Sequence, residues 1–268
     1  MRRVKLLSTV LLAAFVMSAC NTGNNESKKP DAMQAEKEKT FKEIAKYPIP
    51  TSYDIIGLLS KAGAGYIIGI NNPVTNMEKY FTDTKKALNL GVYGADLSYA
   101  TTYHQKQETM NYLKNCKQLV EDLQITTGFN AEMAESIEKN IDDKQKTIEI
   151  ITDAFFESYE YLVNNGKDNL SVFVMSGSWL EAMYLTSQVA LISDNNEDMK
   201  NIITSQVTPL EKLIEIMEQH KDNEAIANLK IKFIDLKAEI ELIGEDFTDE
   251  KLITISNKID VLRNEIID

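Results

Sequence analysis

Seven side chains in this chain combine binding or reactive chemistry with close grouping: Tyr66, Tyr93, Asp96, Tyr99, Tyr103 and His104, with Trp179 further along. They are interleaved with small residues, in Ala62-Gly63-Ala64-Gly65-Tyr66, Gly69 and Gly91-Val92-Tyr93-Gly94-Ala95. Small residues let backbones approach, and a tyrosine offers an apolar ring with a polar tip, so the stretch from Tyr47 to Tyr103 is fit to line a small-molecule pocket. The same residues equally suit close helix packing with tyrosines at the edge of a core.

More demanding chemistry finds no support. A di-iron site in a helical bundle needs Glu-x-x-His pairs on two helices. Met217 stands three residues before His220, and Thr101 three before His104. His104 and Glu108 lie one helical turn apart, but a single pair is a poor metal site without further ligands. No Gly-x-Ser-x-Gly elbow, phosphate loop or dinucleotide fingerprint occurs, and Gly63-Ala64-Gly65 lacks the strand and third glycine that the last requires. No catalytic residue, metal or cofactor is assigned.

The elements that must position these residues are helices throughout. Only 11 Gly and 5 Pro punctuate 268 residues. Three apolar stripes near the C-terminus alternate steps of three and four, which puts each stripe on one helical face. They are Ile203, Val207, Leu210, Ile214 and Met217; Ile226, Leu229, Phe233, Leu236, Ile240 and Ile243; and Leu252, Ile255, Ile259, Leu262 and Ile266. Short breaks at 221–223 and 244–246 predict antiparallel neighbours. A long helix is expected over about 93–123, a pair over 131–162 with a kink near Asp142-Asp143, and a nearly all-apolar helix over 170–192 that reads as central. Thr51/Asp54, Thr75/Glu78, Ser178/Glu181 and Thr208/Glu211 have the spacing of capping boxes. Pro209 suggests that the Ile203 stripe kinks or restarts there. The fold class is therefore all-α, a multi-helix bundle of antiparallel helices over residues 39–268. The short echo between Gly94-Ala95-Asp96-Leu97 and Gly177-Ser178-Trp179-Leu180 leaves a tandem pseudo-repeat open.

The N-terminus carries an address. Arg2, Arg3 and Lys5 precede an apolar run from Leu6 to Val16, too short for the roughly 20 residues of a membrane span. The run closes on Met17-Ser18-Ala19-Cys20, which resembles the lipobox of bacterial lipoproteins. That resemblance implies a signal peptide over 1–19 and a mature chain that begins at a lipidated Cys20. Residues 20–38 are polar and nearly free of large apolar side chains, a tether reaching roughly 20–25 Å as a random coil. If Cys20 carries lipid, Cys116 has no partner within the chain, so no disulfide framework is expected. Cys116 recurs with Leu113 and Val120 at helical spacing, which reads as a buried thiol.

The whole chain holds 29 Lys+Arg against 41 Asp+Glu, a net charge of −12. Loss of the signal would remove three cations more. Such a surface repels phosphate backbones and anionic headgroups, which argues against nucleic acid as a partner.

The lipobox, the Pro48-to-Ser52 entry and the Gly91-to-Tyr99 stretch resemble a group of all-helical Bacteroidota lipoproteins of unknown function. What the resemblance implies is a fold and a cell-envelope location. The imelysin-like helical lipoproteins differ, since their Gly-x-His-x-x-Glu pattern is missing. No acidic run follows Cys20, unlike Bacteroidota surface-export tethers, which implies a protein facing the periplasm, with the outer membrane as the expected anchor and the inner membrane left open. Two functional expectations follow. One is a non-enzymatic envelope module that binds a partner protein or peptide. The other is a small-molecule-binding protein or cryptic enzyme using the pocket around residues 63–104 and Trp179. Self-association is left open, because the C-terminal stripes look like coiled-coil seams.

Overall fold

Ten helices and no strand make up the described part of the computed structural model, which covers residues 52–193, 196–243 and 246–268. The signal segment, Cys20, the tether and residues 39–51 lie outside the described residues, as does Thr51 of the first expected capping box. The helices are α1 (Ser52–Lys61), α2 (Asp83–Thr102), α3 (Lys106–Asp122), α4 (Ala131–Asn140), α5 (Lys144–Asn164), α6 (Asp168–Ile192), α7 (Glu197–Ser205), α8 (Val207–Gln219), α9 (Glu224–Glu241) and α10 (Asp249–Ile267), with a 3-10 turn at Val74–Lys79. The all-α class expected from periodicity is what the chain adopts.

Two helices form the centre. In α2, 16 of 20 residues are buried, and in α6, 18 of 25. A helix enclosed on all sides needs apolar residues around its whole circumference, and α6 has them in Val172, Phe173, Met175, Trp179, Met183, Leu185 and Val189. Its hydroxyls are silenced locally: Ser176 donates to the Val172 carbonyl and Thr186 to the Ala182 carbonyl, both at 2.7 Å. No described helix is long and apolar enough to cross a membrane.

The central pair is antiparallel and in backbone contact. A Cβ on Gly91 would stand 2.0 Å from the Val174 carbonyl oxygen, and one on Gly177 would stand 2.0 Å from that of Leu88. The two glycines thus serve a reciprocal close approach that no larger residue permits. Gly94 makes room instead for the Phe155 ring of α5. The two segments that echo each other in sequence therefore sit on the two central helices, each followed by a further series of helices.

The outer helices bury two of the three expected stripes in full, whereas in the Ile203 stripe Val207 and Ile214 are only half-buried and Leu213 turns inward instead. Every member of the Ile226-to-Ile243 and Leu252-to-Ile266 sets is buried. Asn223 caps α9 by accepting from Ala225 and Ile226 N–H, and Thr248 caps α10 by accepting from Lys251 N–H at 3.3 Å. The Ile203 stripe restarts, as expected, because α7 ends at Ser205 and α8 begins at Val207.

Several boundaries differ from expectation. The single helix expected over 93–123 is two, broken at Tyr103-His104-Gln105. His104 adopts φ +57°, while Gln105 N–H bonds the Ala100 carbonyl and His104 N–H that of Thr101. That is a Schellman closure built without glycine. Gln124, at φ +56°, closes α3 in the same way. Ser178/Glu181 lies in mid-α6 rather than at a start, and Thr75/Glu78 falls in the 3-10 turn. Thr208/Glu211 sits inside the first turn of α8, whose cap position is Gln206. The kink expected near Asp142-Asp143 is a full break, with Asp143 capping α5 through Lys146 N–H.

Candidate functional site

The loop from Ala62 to Phe81 leaves α1 and folds over one flank of α2, and this brings four of the seven flagged residues together. Tyr66 stacks on Tyr99 with ring centroids 4.6 Å apart, Tyr103 meets Tyr99 edge-on at 5.0 Å, and Tyr66 lies 5.9 Å from Tyr103. The Tyr99 hydroxyl accepts from Ile67 N–H at 2.8 Å and donates to the Gly65 carbonyl at 3.4 Å. Tyr66 donates to Asn71 Oδ1, and Asn71 Nδ2 donates in turn to Asp96 Oδ1 at 2.7 Å. The second Asp96 oxygen accepts from Asn72 N–H at 3.1 Å.

Tyr93 lies beside this group, donating to the Pro73 carbonyl at 2.9 Å and facing the rings of Tyr80 and Tyr112. His104 is exposed in the turn after α2. Trp179 makes its ring contact elsewhere, with Phe233 of α9 at 5.6 Å. The tyrosine rings therefore fill one another's faces, and each hydrogen bond on Asp96 fastens the loop to α2.

Sequence reasoning did not flag the most consequential ionic pair. Glu181 and Arg263 are both buried, and the guanidinium grips the carboxylate through Nε to Oε2 at 2.6 Å and Nη2 to Oε1 at 2.8 Å. Nη2 also donates to the Ile70 carbonyl at 3.3 Å, and the guanidinium stacks 3.9 Å over the Tyr184 ring. One arginine from α10 thereby ties α6 to the loop that covers Asp96. A signal for it existed: Arg263 lies four residues after Ile259 and three before Ile266, on the buried face of α10.

Electrostatics join the pair to Asp96. Burial, and then the nearby Glu181 charge, hold the Asp96 proton well above the usual carboxylate range, with Arg263 pulling the other way. Burial disfavours the Arg263 charge, but Glu181 beside it more than compensates, so the guanidinium binds its proton more tightly than usual. Two acids share one cation within a dry interior, and the four polar groups of Asn71, Asn72, Tyr80 and Asn89 complete the network. Burial also pushes the phenol of Tyr99 up to about 12, and Tyr80 likewise up to about 12. Neutral phenols of that kind donate hydrogen bonds and do not act as bases. Among the described residues no three His, Cys, Asp or Glu side chains are grouped so as to hold a metal ion.

A separate feature lies beside the α2 C-terminus, where Thr102 borders it. Here α1 and α5 stand apart and leave a groove of about 740 Å³. Gly57, Leu58 and Lys61 form one wall, Lys144, Ile148 and Phe156 the other. None of the seven flagged residues lines it.

Comparison of the chain with protein-family models, with characterised proteins and with solved structures gives no match.

Proposed function

We propose that this chain is a lipid-anchored, non-enzymatic module of the cell envelope, held through Cys20 at the outer membrane facing the periplasm, that works by binding a partner protein or peptide. The observation that carries this reading is the destination of the chemistry-bearing side chains. Asp96, Glu181, Arg263 and the stacked tyrosines bond one another and pin helices together, so their chemistry is committed to holding the architecture. The acidic surface and the lipobox-like Met17-Ser18-Ala19-Cys20 supply the solubility and address such a module needs.

The test is crosslinking in intact cells followed by recovery of the tagged full chain, beside a Cys20→Ser chain and an unrelated acidic lipoprotein. A defined envelope protein enriched with the wild-type chain and lost with Cys20→Ser is the expected result. Recovery of the same background set with all three would refute the proposal. Mass spectrometry of the N-terminal peptide checks the anchor separately, since an unmodified residue 20 removes it.

A further inference from the structure

Gly57 is a glycine without a structural need. It sits in the middle of α1, its φ is ordinary, and a Cβ built on it would meet nothing within 4 Å among the described residues. Gly91, Gly94 and Gly177 are each demanded by an atom within about 2 Å of the added carbon, whereas no described residue crowds Gly57. The space beside it is the groove between α1 and α5. A glycine weakens a helix interior, so its presence where packing does not require it points to room being kept for something else.

The groove is shaped for a chain. On α5 its lining runs through Lys144, Ile148, Thr152 and Phe156, a row at four-residue steps and thus one straight ridge. Twelve residues at a rise of 1.5 Å give the ridge a length of roughly 18 Å. Leu58 is 43% and Phe156 41% exposed, apolar walls with nothing over them among the described residues. A volume near 740 Å³ lies in the range of small-molecule sites. Thr102, at the end of α2, is among the lining residues, and its buried hydroxyl has no hydrogen-bond partner among the described residues.

Charge selects among apolar occupants. Lys61 and Lys144 both line the groove, and neither has an ion-pair partner among the described residues, although most of the described lysines are paired. The one carboxylate in the lining, Asp54, is already partnered. Apolar walls with two ammonium groups that have no ion-pair partner among the described residues match a single hydrocarbon chain bearing an anionic head.

We infer that the α1–α5 groove binds a free long-chain fatty acid, its hydrocarbon along the Ile148–Phe156 ridge and its carboxylate met by Lys61 and Lys144. This goes beyond the partner-protein proposal, and either can fail without the other.

The test uses the full chain in a non-ionic detergent, photolabelled with palmitic acid that carries a diazirine on its tail. Adducts should concentrate on the peptides spanning 52–61 and 144–156. Gly57→Leu, whose Cβ meets nothing within 4 Å among the described residues and whose side chain would enter the groove, should cut their yield at least fivefold while the circular-dichroism melting temperature does not fall. Lys61→Glu/Lys144→Glu should weaken labelling by the acid at least threefold and leave labelling by the matching diazirine alcohol unchanged. Adducts spread over the surface, or a yield indifferent to Gly57→Leu, would overturn the inference. So would a bifunctional amine reagent linking Lys144 to Lys42 or Lys46 with no groove adduct, because the chain's own N-terminal segment would then be the occupant.

Discussion

Arg263 and Glu181 are 82 residues apart in sequence, yet the guanidinium holds the carboxylate through two parallel hydrogen bonds of 2.6 and 2.8 Å with both side chains buried. A bidentate pair of this kind is among the stronger polar contacts a protein makes, but desolvating both charges offsets much of the gain. Its consequence is a sharp asymmetry between losing one partner and losing both.

Arg263→Met should therefore destabilise the chain by about 3–5 kcal/mol, because Glu181 would be left charged and unpaired near Asp96. The double variant Glu181→Met/Arg263→Met should lie much closer to wild type. Urea unfolding of the three chains measures both effects, and a double variant no better than the single one would show that the pair is not acting as a unit.

Asp96 makes stability depend on pH with a definite sign. Its folded-state pKa is raised above the unfolded value of about 3.9, so the folded chain holds the proton more tightly. The favourable contribution is complete below that value and is lost as pH rises through the folded-state pKa. Asp96→Asn carries no such loss, so its stability relative to wild type should improve with pH above about 4, by at most about 1.4 kcal/mol per pH unit. Denaturant midpoints of both chains between pH 4 and 8 give the difference, and a constant offset would exclude the linkage.

The glycines separate into two kinds that one substitution distinguishes. Gly177→Ala puts a methyl group against the Leu88 carbonyl, which backbone cannot easily yield, and should destabilise by about 2–3 kcal/mol. Gly57→Ala meets no described atom within 4 Å and should stabilise by about 0.5–1 kcal/mol through helix propensity. Thermal melts of the two variants should move in opposite directions.

His104 occupies a left-handed position in an exposed turn, where a side chain is strained and glycine is not. His104→Gly should leave stability unchanged or raise it by up to about 1 kcal/mol. A loss greater than about 1 kcal/mol in urea unfolding would reveal a contact for the imidazole that its exposure does not suggest.

Cys116 is fully buried, and burial pushes its thiol well above the ordinary range. A thiolate is the reactive form, so a disulfide reagent should label Cys116 no faster than the chain opens. Labelling that follows the unfolding rate across urea concentrations is the expected behaviour, and rapid labelling in native buffer would contradict it.

Much of the architecture was legible in the residues. Apolar side chains repeating every three or four positions predict amphipathic helices, and the stripes from Ile226 to Ile243 and from Leu252 to Ile266 are buried in full. The nearly all-apolar stretch around Trp179 announced a central helix for the same local reason: a helix apolar on almost every side has little surface fit to meet water. Glycine at 166, with φ +68°, ends α5 where a break was expected. Other decisions belonged to the tertiary structure. The turns at His104 and Gln124 carry no glycine, and their left-handed residues are held by surrounding packing and by carbonyls of the helix just ended. The spacing of Ser178 and Glu181 looked like a helix cap, whereas Glu181 is one half of a buried ion pair whose other half lies four helices further along the chain, on α10. Periodicity is a property of one helix and can be counted along the chain, so it foretells which face is buried. What that face meets depends on which helices cross, and only there do Gly91 and Gly177 become contacts and Gly57 an opening.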